Sequence, residues 1–371
     1  MSSLSQNNKP YDYIIVGAGL FGAVIAYRAI KAGKRVKVID RRSHIGGNLY
    51  CQDVDGVAVH CYGPHIFHTS NREVWQFVNS IVEFIPYINS PIANYCGKLY
   101  NLPFNMNTFY QLWGVTSPIE AEKIINTQRE QSSITTPQNL EQQAIALVGT
   151  DIYQTLIKGY TEKQWGRSCT ELPPEIIRRL PVRFTFDNNY FNDTFQGIPA
   201  GGYNLFIERL LEGSEIETDC DFFDHRELFE AQAKCIVYTG ELDRYFDYCH
   251  GALEYRTLRF ETKRVEQKSY QGVAVMNYTD STTPYTRAIE HKHFDSSCRA
   301  NHSIITYEYP EEWKIGREPY YPINDSRNNL IADKYRQLAL QCKDVIFGGR
   351  LAEYRYYDMH HIVEKALSIE L

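Results

Sequence analysis

Several features are scarce in this chain, and each absence closes off a class of function. No C-x-x-C pair occurs among the nine cysteines, which scatter from Cys51 to Cys342. An odd, unpatterned set argues against a disulfide framework and fits a reducing compartment. Long apolar runs are missing as well. The charge-free apolar stretch Tyr13 to Tyr27 contains three glycines and is too short to span a bilayer. Positive charge is not in excess: 39 Lys and Arg stand against 45 Asp and Glu, a net charge of -6. Nothing here favours nucleic acid or an anionic membrane as partner. Neither a G-x-S-x-G element nor a second G-x-G-x-x-G occurs, so neither a serine nucleophile nor a separate nicotinamide domain is indicated. The leading MSSLSQNNKP is polar and lacks the layout of a signal peptide. The expectation is a soluble, cytoplasmic protein.

What is present is a chain of 371 residues, long enough for two or three domains, with an ordinary 43% apolar content. The unusual number is 28 tyrosines. Tyrosine packs well, and it also stacks on bases and hydrogen-bonds phosphates.

YDYIIVGAGLFGAVIAYRAIKAGKRVKVID, at the start, reads as strand, glycine turn, helix and strand, with strands at Tyr13–Val16 and Val36–Ile39. From about Pro86 the pattern turns helical. Ser117-Pro118-Ile119-Glu120 is a capping box with proline at the first helical position. Asn139 caps a second helix that stops at Gly149, and a third runs from Thr150 or Asp151 to about Tyr160. TELPPEIIRRLPVRF then reads as an irregular connection. A glycine turn opens a helix in GIPAGGYNLFIERLLEG, and Cys235–Tyr238 reads as a buried strand. LRFET, VAVMNYT, TRAIEHKHF and SIITYEY alternate with period two, which predicts an antiparallel sheet. Glu290-His291-Lys292-His293 falls in this alternation and reads as solvated strand charges rather than a metal site. A short strand at Val345–Phe347 and a helix at Met359–Leu367 close the chain.

Gly17-Ala18-Gly19-Leu20-Phe21-Gly22 follows a strand, opens a helix and has Asp40 at the end of the next strand. That context makes it a dinucleotide fingerprint: the glycines admit the pyrophosphate to the helix N-terminus, and Asp40 accepts from a ribose. A second glycine pair in RRSHIGGN, directly beyond Asp40, resembles the flavin proteins that include the amine oxidases. In that family a glycine-rich strand end near the C-terminus completes the FAD site. Phe347-Gly348-Gly349-Arg350 is placed for that role, with Arg350 available to the pyrophosphate.

Further segments narrow the resemblance. YGPHIFHT, NLPFNMNTF, KGYTEKQWGRS, PVRFTFDNNYF, PYTRAIEHKHF, EPYYPIND and FGGRLAEYRYYDMH, taken together, resemble the bacterial UDP-galactopyranose mutases over nearly the whole chain. Pro64 stands where that family commonly has alanine. The resemblance implies an α/β fold: a Rossmann-like FAD domain (1–85, 195–242 and 323–371), an inserted helical domain (86–170) and an antiparallel sheet domain (171–194 and 243–322). It implies a homodimeric isomerase that interconverts UDP-galactopyranose and UDP-galactofuranose. Catalysis would be nucleophilic, from N5 of reduced FAD, with no net redox change and with a reductant such as NADPH.

By position, the resemblance assigns Gly17, Gly19, Leu20, Phe21, Gly22, Asp40, Arg41, Gly47, Asn48, His65, Gly349, Arg350 and Met359 to the cofactor. Arg179 and Arg287 match two diphosphate arginines. Tyr356 matches a tyrosine beside the anomeric carbon, Asp358 sits near the same pocket, and His68 with His65 flanks the isoalloxazine. Asn89, Tyr160, Thr161, Trp165, Tyr190, Phe191, Asn277 and Tyr321 match further substrate contacts, Tyr160 stacking on uracil. No metal is expected. Physical chemistry supports these residue types on its own: a diphosphate suits arginine forks, and each charge-assisted bond is worth about 1.5–3 kcal/mol. Two rival readings remain at this point. One is an oxidoreductase of amine-oxidase type; the other is a flavoprotein that binds nucleotide sugars without turnover.

Overall fold

The computed structural model describes residues 9–177 and 181–371. Arg179, assigned above to the substrate diphosphate, therefore lies outside the described residues. The fingerprint forms as expected: strand β1 (Tyr11–Val16), helix α1 (Leu20–Lys31) and strand β2 (Val36–Ile39). These strands join Glu215–Glu217, Ala233–Tyr238 and Val345–Phe347 in a five-stranded, wholly parallel sheet. β1 lies at its centre, with Val16 opposite both Ile39 and Tyr238. The three strand ends that carry Gly17, Asp40 and Gly348 thus finish along one edge. α1 is buried from Leu20 through Ala26. A helix apolar on all sides must be covered on all sides. The helices Gly202–Leu211 and Met359–Ser368 pack on the faces that the sheet leaves.

The second large sheet has seven strands: Tyr321–Pro322, Tyr255–Val265, Ser303–Glu312, Arg287–Glu290, Val275–Tyr278, Ile92–Tyr95 and Lys98–Asn101, in that spatial order. The sheet is mixed rather than antiparallel, because Met276 pairs with Ile92 in a parallel ladder. Its last two strands come from the stretch read as helical. They form a hairpin whose turn, Cys96-Gly97, takes positive φ at both positions. That is the tight turn favoured by the right-handed strand twist, although Cys-Gly is not its usual sequence.

The helical part keeps its predicted caps. Ser117 and Glu120 form the capping box, and Asn139 accepts from the Gln142 amide. The third helix extends to Trp165 instead of stopping near Tyr160, through a π-turn at Tyr153–Ile157. Such a bulge rotates the following turn relative to a regular helix. Gly159 in that turn has no room for a side chain: a Cβ would sit 2.4 Å from the Thr279 carbonyl. The backbone of this helix therefore rests directly on the sheet loop. Lys163 ties the two together by donating to the carbonyls of Tyr278, Thr283 and Tyr285.

One expectation fails at Glu290–His293. The strand ends at Glu290 and a 3-10 turn follows over His291–Phe294. Glu290 and His291 are buried, not solvated. Four donors satisfy the Glu290 carboxylate: the Tyr270, Gln271 and Gly272 amides and the Ser303 hydroxyl. Burial of a carboxylate is tolerated when its acceptor capacity is filled in this way.

Candidate active site

The cofactor residues named from the sequence, Gly17, Gly19, Leu20, Phe21, Gly22, Asp40, Arg41, Gly47, Asn48, His65, Gly349, Arg350 and Met359, all line one cleft. The glycines are needed there for close approach. A Cβ on Gly22 would stand 2.1 Å from the Gly17 carbonyl, and one on Gly17 2.0 Å from the Thr239 hydroxyl. Gly19 differs, since the nearest protein atom to its Cβ position is 3.9 Å away. Space there is kept open toward the cleft. Asp40 accepts from the Ala18 and Arg42 amides, at 2.8 and 2.9 Å, which fixes its carboxylate at the cleft wall.

Arg42 lies over the Tyr62 ring and pairs with Glu318, yet its Nη1 is buried without a partner among the described residues. An unpaired guanidinium nitrogen beside a glycine turn at a helix N-terminus suits the anionic bridge of a dinucleotide. The residues present therefore fit such a group. Arg41, by contrast, is engaged with Glu241 and Glu318. Arg350 donates to the carbonyls of Tyr320 and Tyr357, and its guanidinium faces the Tyr356 ring. It links the strand end to the tyrosine wall. Sequence reading missed Thr239, Glu318 and Arg42, which also line this cleft.

At its far end the cleft meets histidines. Burial first, then the charges of His60 and Arg350, pushes His65 down to about 3. Burial alone pushes His60 down to about 4. Both are neutral imidazoles at pH 7. The tautomers of His60 and His291 follow from a chain of bonds: His60 Nδ1 accepts from the His65 amide and His291 Nδ1 from the His60 amide. His291 Nε2 then meets the Thr306 hydroxyl at 2.7 Å. The buried His291 thus supports the His65 loop from behind.

Beside the cradle, Arg287 bonds Glu308 through Nε and Nη2, at 3.0 and 2.8 Å. Glu308 is wholly buried. Despite burial, this carboxylate holds the Arg287 pKa well above its ordinary value, so the cation persists at every relevant pH. Tyr160, Tyr190 and Tyr321 lie within its field. Burial raises all three phenols, which therefore remain neutral donors. Tyr356 stands nearer the surface, at 55% exposure, with its ring 6.2 Å from that of Tyr321.

Tyr160, Thr161, Trp165, Tyr190 and Asn277 line a second cavity between the helical part and the sheet. The walls from Leu102, Phe104 and Ile157 are apolar. Asn277 Oδ1 and Gln164 Oε1 are buried there without partners among the described residues. Asn89 offers its backbone carbonyl to the Tyr190 amide, which makes it a support for the tyrosine in this structure. Phe191 does not enter that cavity; it stacks on His68 at 3.8 Å.

His68, Asp358 and His360 bring three polar atoms within 4.8 Å of one another. Ligands around a tetrahedral zinc with bonds of about 2.0–2.1 Å lie only ~3.4 Å apart. His68 Nδ1 is meanwhile held 2.6 Å from the Asp193 carboxylate.

A family model described as UDP-galactopyranose mutase matches residues 155–356. A second, described as an NAD(P)-binding Rossmann-like domain, matches residues 15–81. The chain is 44% identical over 366 residues to a probable UDP-galactopyranose mutase of Klebsiella pneumoniae, covering 97% of this chain and 94% of that protein. The chain belongs to the UDP-galactopyranose mutase family. It is 41% identical over 362 residues to a dTDP-fucopyranose mutase of Escherichia coli, covering 95% and 96%. A solved structure of reduced UDP-galactopyranose mutase superposes with a TM-score of 0.75 over 96% of this chain and 92% of that one; at 15% identity it attests the fold. Membership makes this chain an isomerase with a flavin-type cofactor site. Among the described residues, no helix is long and apolar enough to cross a membrane.

Proposed function

We propose that the chain interconverts UDP-galactopyranose and UDP-galactofuranose with FAD in its reduced form. One observation carries this reading: a permanently charged arginine, held by a buried carboxylate and ringed by neutral tyrosines, acts on His65 at the wall of a glycine-lined cleft suited to a dinucleotide. Gly17, Gly19, Gly22, Asp40 and Arg42 would hold the cofactor, and Gly349 with Arg350 would close its other end. Bound and reduced, the flavin supplies the nucleophile for the anomeric carbon. The protein's own tasks are to orient the sugar, take up the diphosphate charge as the nucleotide departs, and exclude water. Arg287 meets that charge, with Arg179 as the second cation that the family resemblance assigns. Tyr190, Tyr321 and Tyr356 add hydrogen bonds without further positive charge. Tyr160 and Trp165 offer faces for a pyrimidine, with the Asn277 and Gln164 side-chain oxygens, unpartnered among the described residues, placed to read its edge.

A second reading concerns the substrate alone. The similarity to the dTDP-fucopyranose mutase is nearly as high as that to the UDP-galactopyranose mutase, which favours including a deoxyribosyl nucleotide sugar in any assay. The reading extends to a cytoplasmic homodimer, with NADPH or a similar reductant. The experiment incubates dithionite-reduced protein with UDP-galactofuranose and, separately, with a dTDP-furanose, and then separates the nucleotides by chromatography. Conversion of the UDP sugar supports the first reading; conversion of the dTDP sugar alone supports the second. No conversion of either contradicts both.

A further inference from the structure

We propose that Asp193 is a positioning residue that sets the tautomer and orientation of His68. This inference rests on the mutase reading above and names a part of that site which the family resemblance did not assign.

His68 lies on the strand Phe67–Thr69, which pairs antiparallel with Phe195–Pro199. Thr69 stands opposite Phe195, so this register brings Asp193, two residues earlier, alongside His68 and Ser70. Asp193 Oδ2 is 2.6 Å from His68 Nδ1, and its other oxygen accepts from the Ser70 hydroxyl at 2.7 Å. Thr194 in turn donates its amide to Ser70. Burial works against the Asp193 charge, but the bonds from Ser70 and His68 hold its pKa below the ordinary value. An ionised carboxylate only accepts, so the proton on this side of the ring belongs to Nδ1. In the neutral imidazole, Nε2 then carries the lone pair. Phe191 stacks on one face of the ring at 3.8 Å and 13°, which removes its freedom to turn. The ring therefore stands in one plane and one tautomer, beside Asp358 and His360.

That arrangement matches a need of the reaction. When a pyranose becomes a furanose, the ring oxygen gains a proton as its bond to the anomeric carbon breaks. The hydroxyl that closes the new ring loses one as its bond forms. With Nδ1–H held on Asp193, Nε2 is the atom that exchanges protons: once it has taken a proton from water, it can give that proton to the ring oxygen and recover one from the closing hydroxyl. Protons balance, and His68 ends as it began. Asp193 touches neither substrate nor cofactor in this scheme; it acts through the imidazole.

The test uses flavin-loaded protein with Asp193→Asn and Asp193→Glu. In the Asn variant kcat should fall by about 10–100-fold with little change in KM, the scale for removing an outer-shell hydrogen-bond partner of a site histidine. Nitrogen NMR of labelled histidine should show His68 protonated at Nδ1 in the parent protein and at Nε2 in Asp193→Asn. The Glu variant should restore the Nδ1 signal and a substantial part of kcat. An unchanged tautomer, an unchanged kcat, or equal damage in both variants together with loss of flavin would overturn the proposal. If the unmodified protein isomerises no nucleotide sugar, the proposed function fails, while the NMR arm still decides whether Asp193 sets the tautomer.

Discussion

The cradle at Gly17–Gly22 is shaped mainly by backbone, whereas the cleft around Arg287 is made of side chains from widely separated segments. In the cradle, three parallel strand ends and one helix terminus present amides and glycine Cα atoms to the cleft. In the cleft, Tyr160 comes from a helix, Tyr190 from a loop, and Arg287, Glu308 and Tyr321 from strands of another sheet. Backbone sites tolerate little change in residue size, because the atoms they exclude cannot move aside. Side-chain sites instead depend on pairing, and fail when one partner is left alone in a dry interior. The two regions should therefore break in different ways.

The largest effect is expected in the cradle. Gly19→Val fills space facing the cleft while meeting no protein atom closer than 3.9 Å at its Cβ. The variant should fold, circular dichroism and thermal melting should be close to those of the parent, and the purified protein should be colourless. Full flavin content in this variant would show that the pyrophosphate does not lie where the glycines permit.

In the cleft, Arg287→Ala should lower turnover by about 10²–10³, the scale for losing a donor to developing charge. It also leaves the Glu308 carboxylate buried and unpaired, at a cost of about 3–5 kcal/mol in stability. Adding Glu308→Gln should recover much of that stability but not the turnover. Recovery of both would mean that Arg287 serves the fold alone.

A smaller effect separates the histidines behind the cradle. The unfolded chain binds protons at His60 and His65 near the ordinary histidine value of 6.5, whereas the folded chain binds them only near 4 and 3. The unfolded state thus takes up more protons in that window, and stability falls as pH drops from 6.5 toward 4. His65→Asn should flatten the dependence of Tm on pH across this range and leave it unchanged above pH 7. An equally steep slope would mean that His65 is not buried neutral.

The same contrast explains what could be read from the sequence. The cradle was legible because local rules govern it: a strand, a turn that only glycine fits, a helix and an acidic residue at a known spacing. The caps at Ser117 and Asn139 were legible for the same reason. Arg287, Tyr160 and Tyr321 were reached through resemblance, since nothing local marks an arginine in an alternating strand as a ligand group. Glu308, Asp193 and His291 were not singled out for these roles. Their environments depend on long-range pairings: Asp193 lies 125 residues from His68, and His60 lies 231 from His291. A polar residue in an alternating strand looks solvated until the partner that buries it is known. The hairpin at Ile92–Asn101 was overlooked because Cys-Gly does not carry the usual turn signature and its strands are four residues each.

The most direct test of the central claim is an anaerobic count of product formed per electron pair. If cradle and cleft together hold a reduced flavin that returns unchanged after each cycle, one pair delivered by dithionite should support many conversions of UDP-galactofuranose. Oxidised protein should support none. Product formed in proportion to reductant consumed, or equal turnover by oxidised protein, would contradict the account.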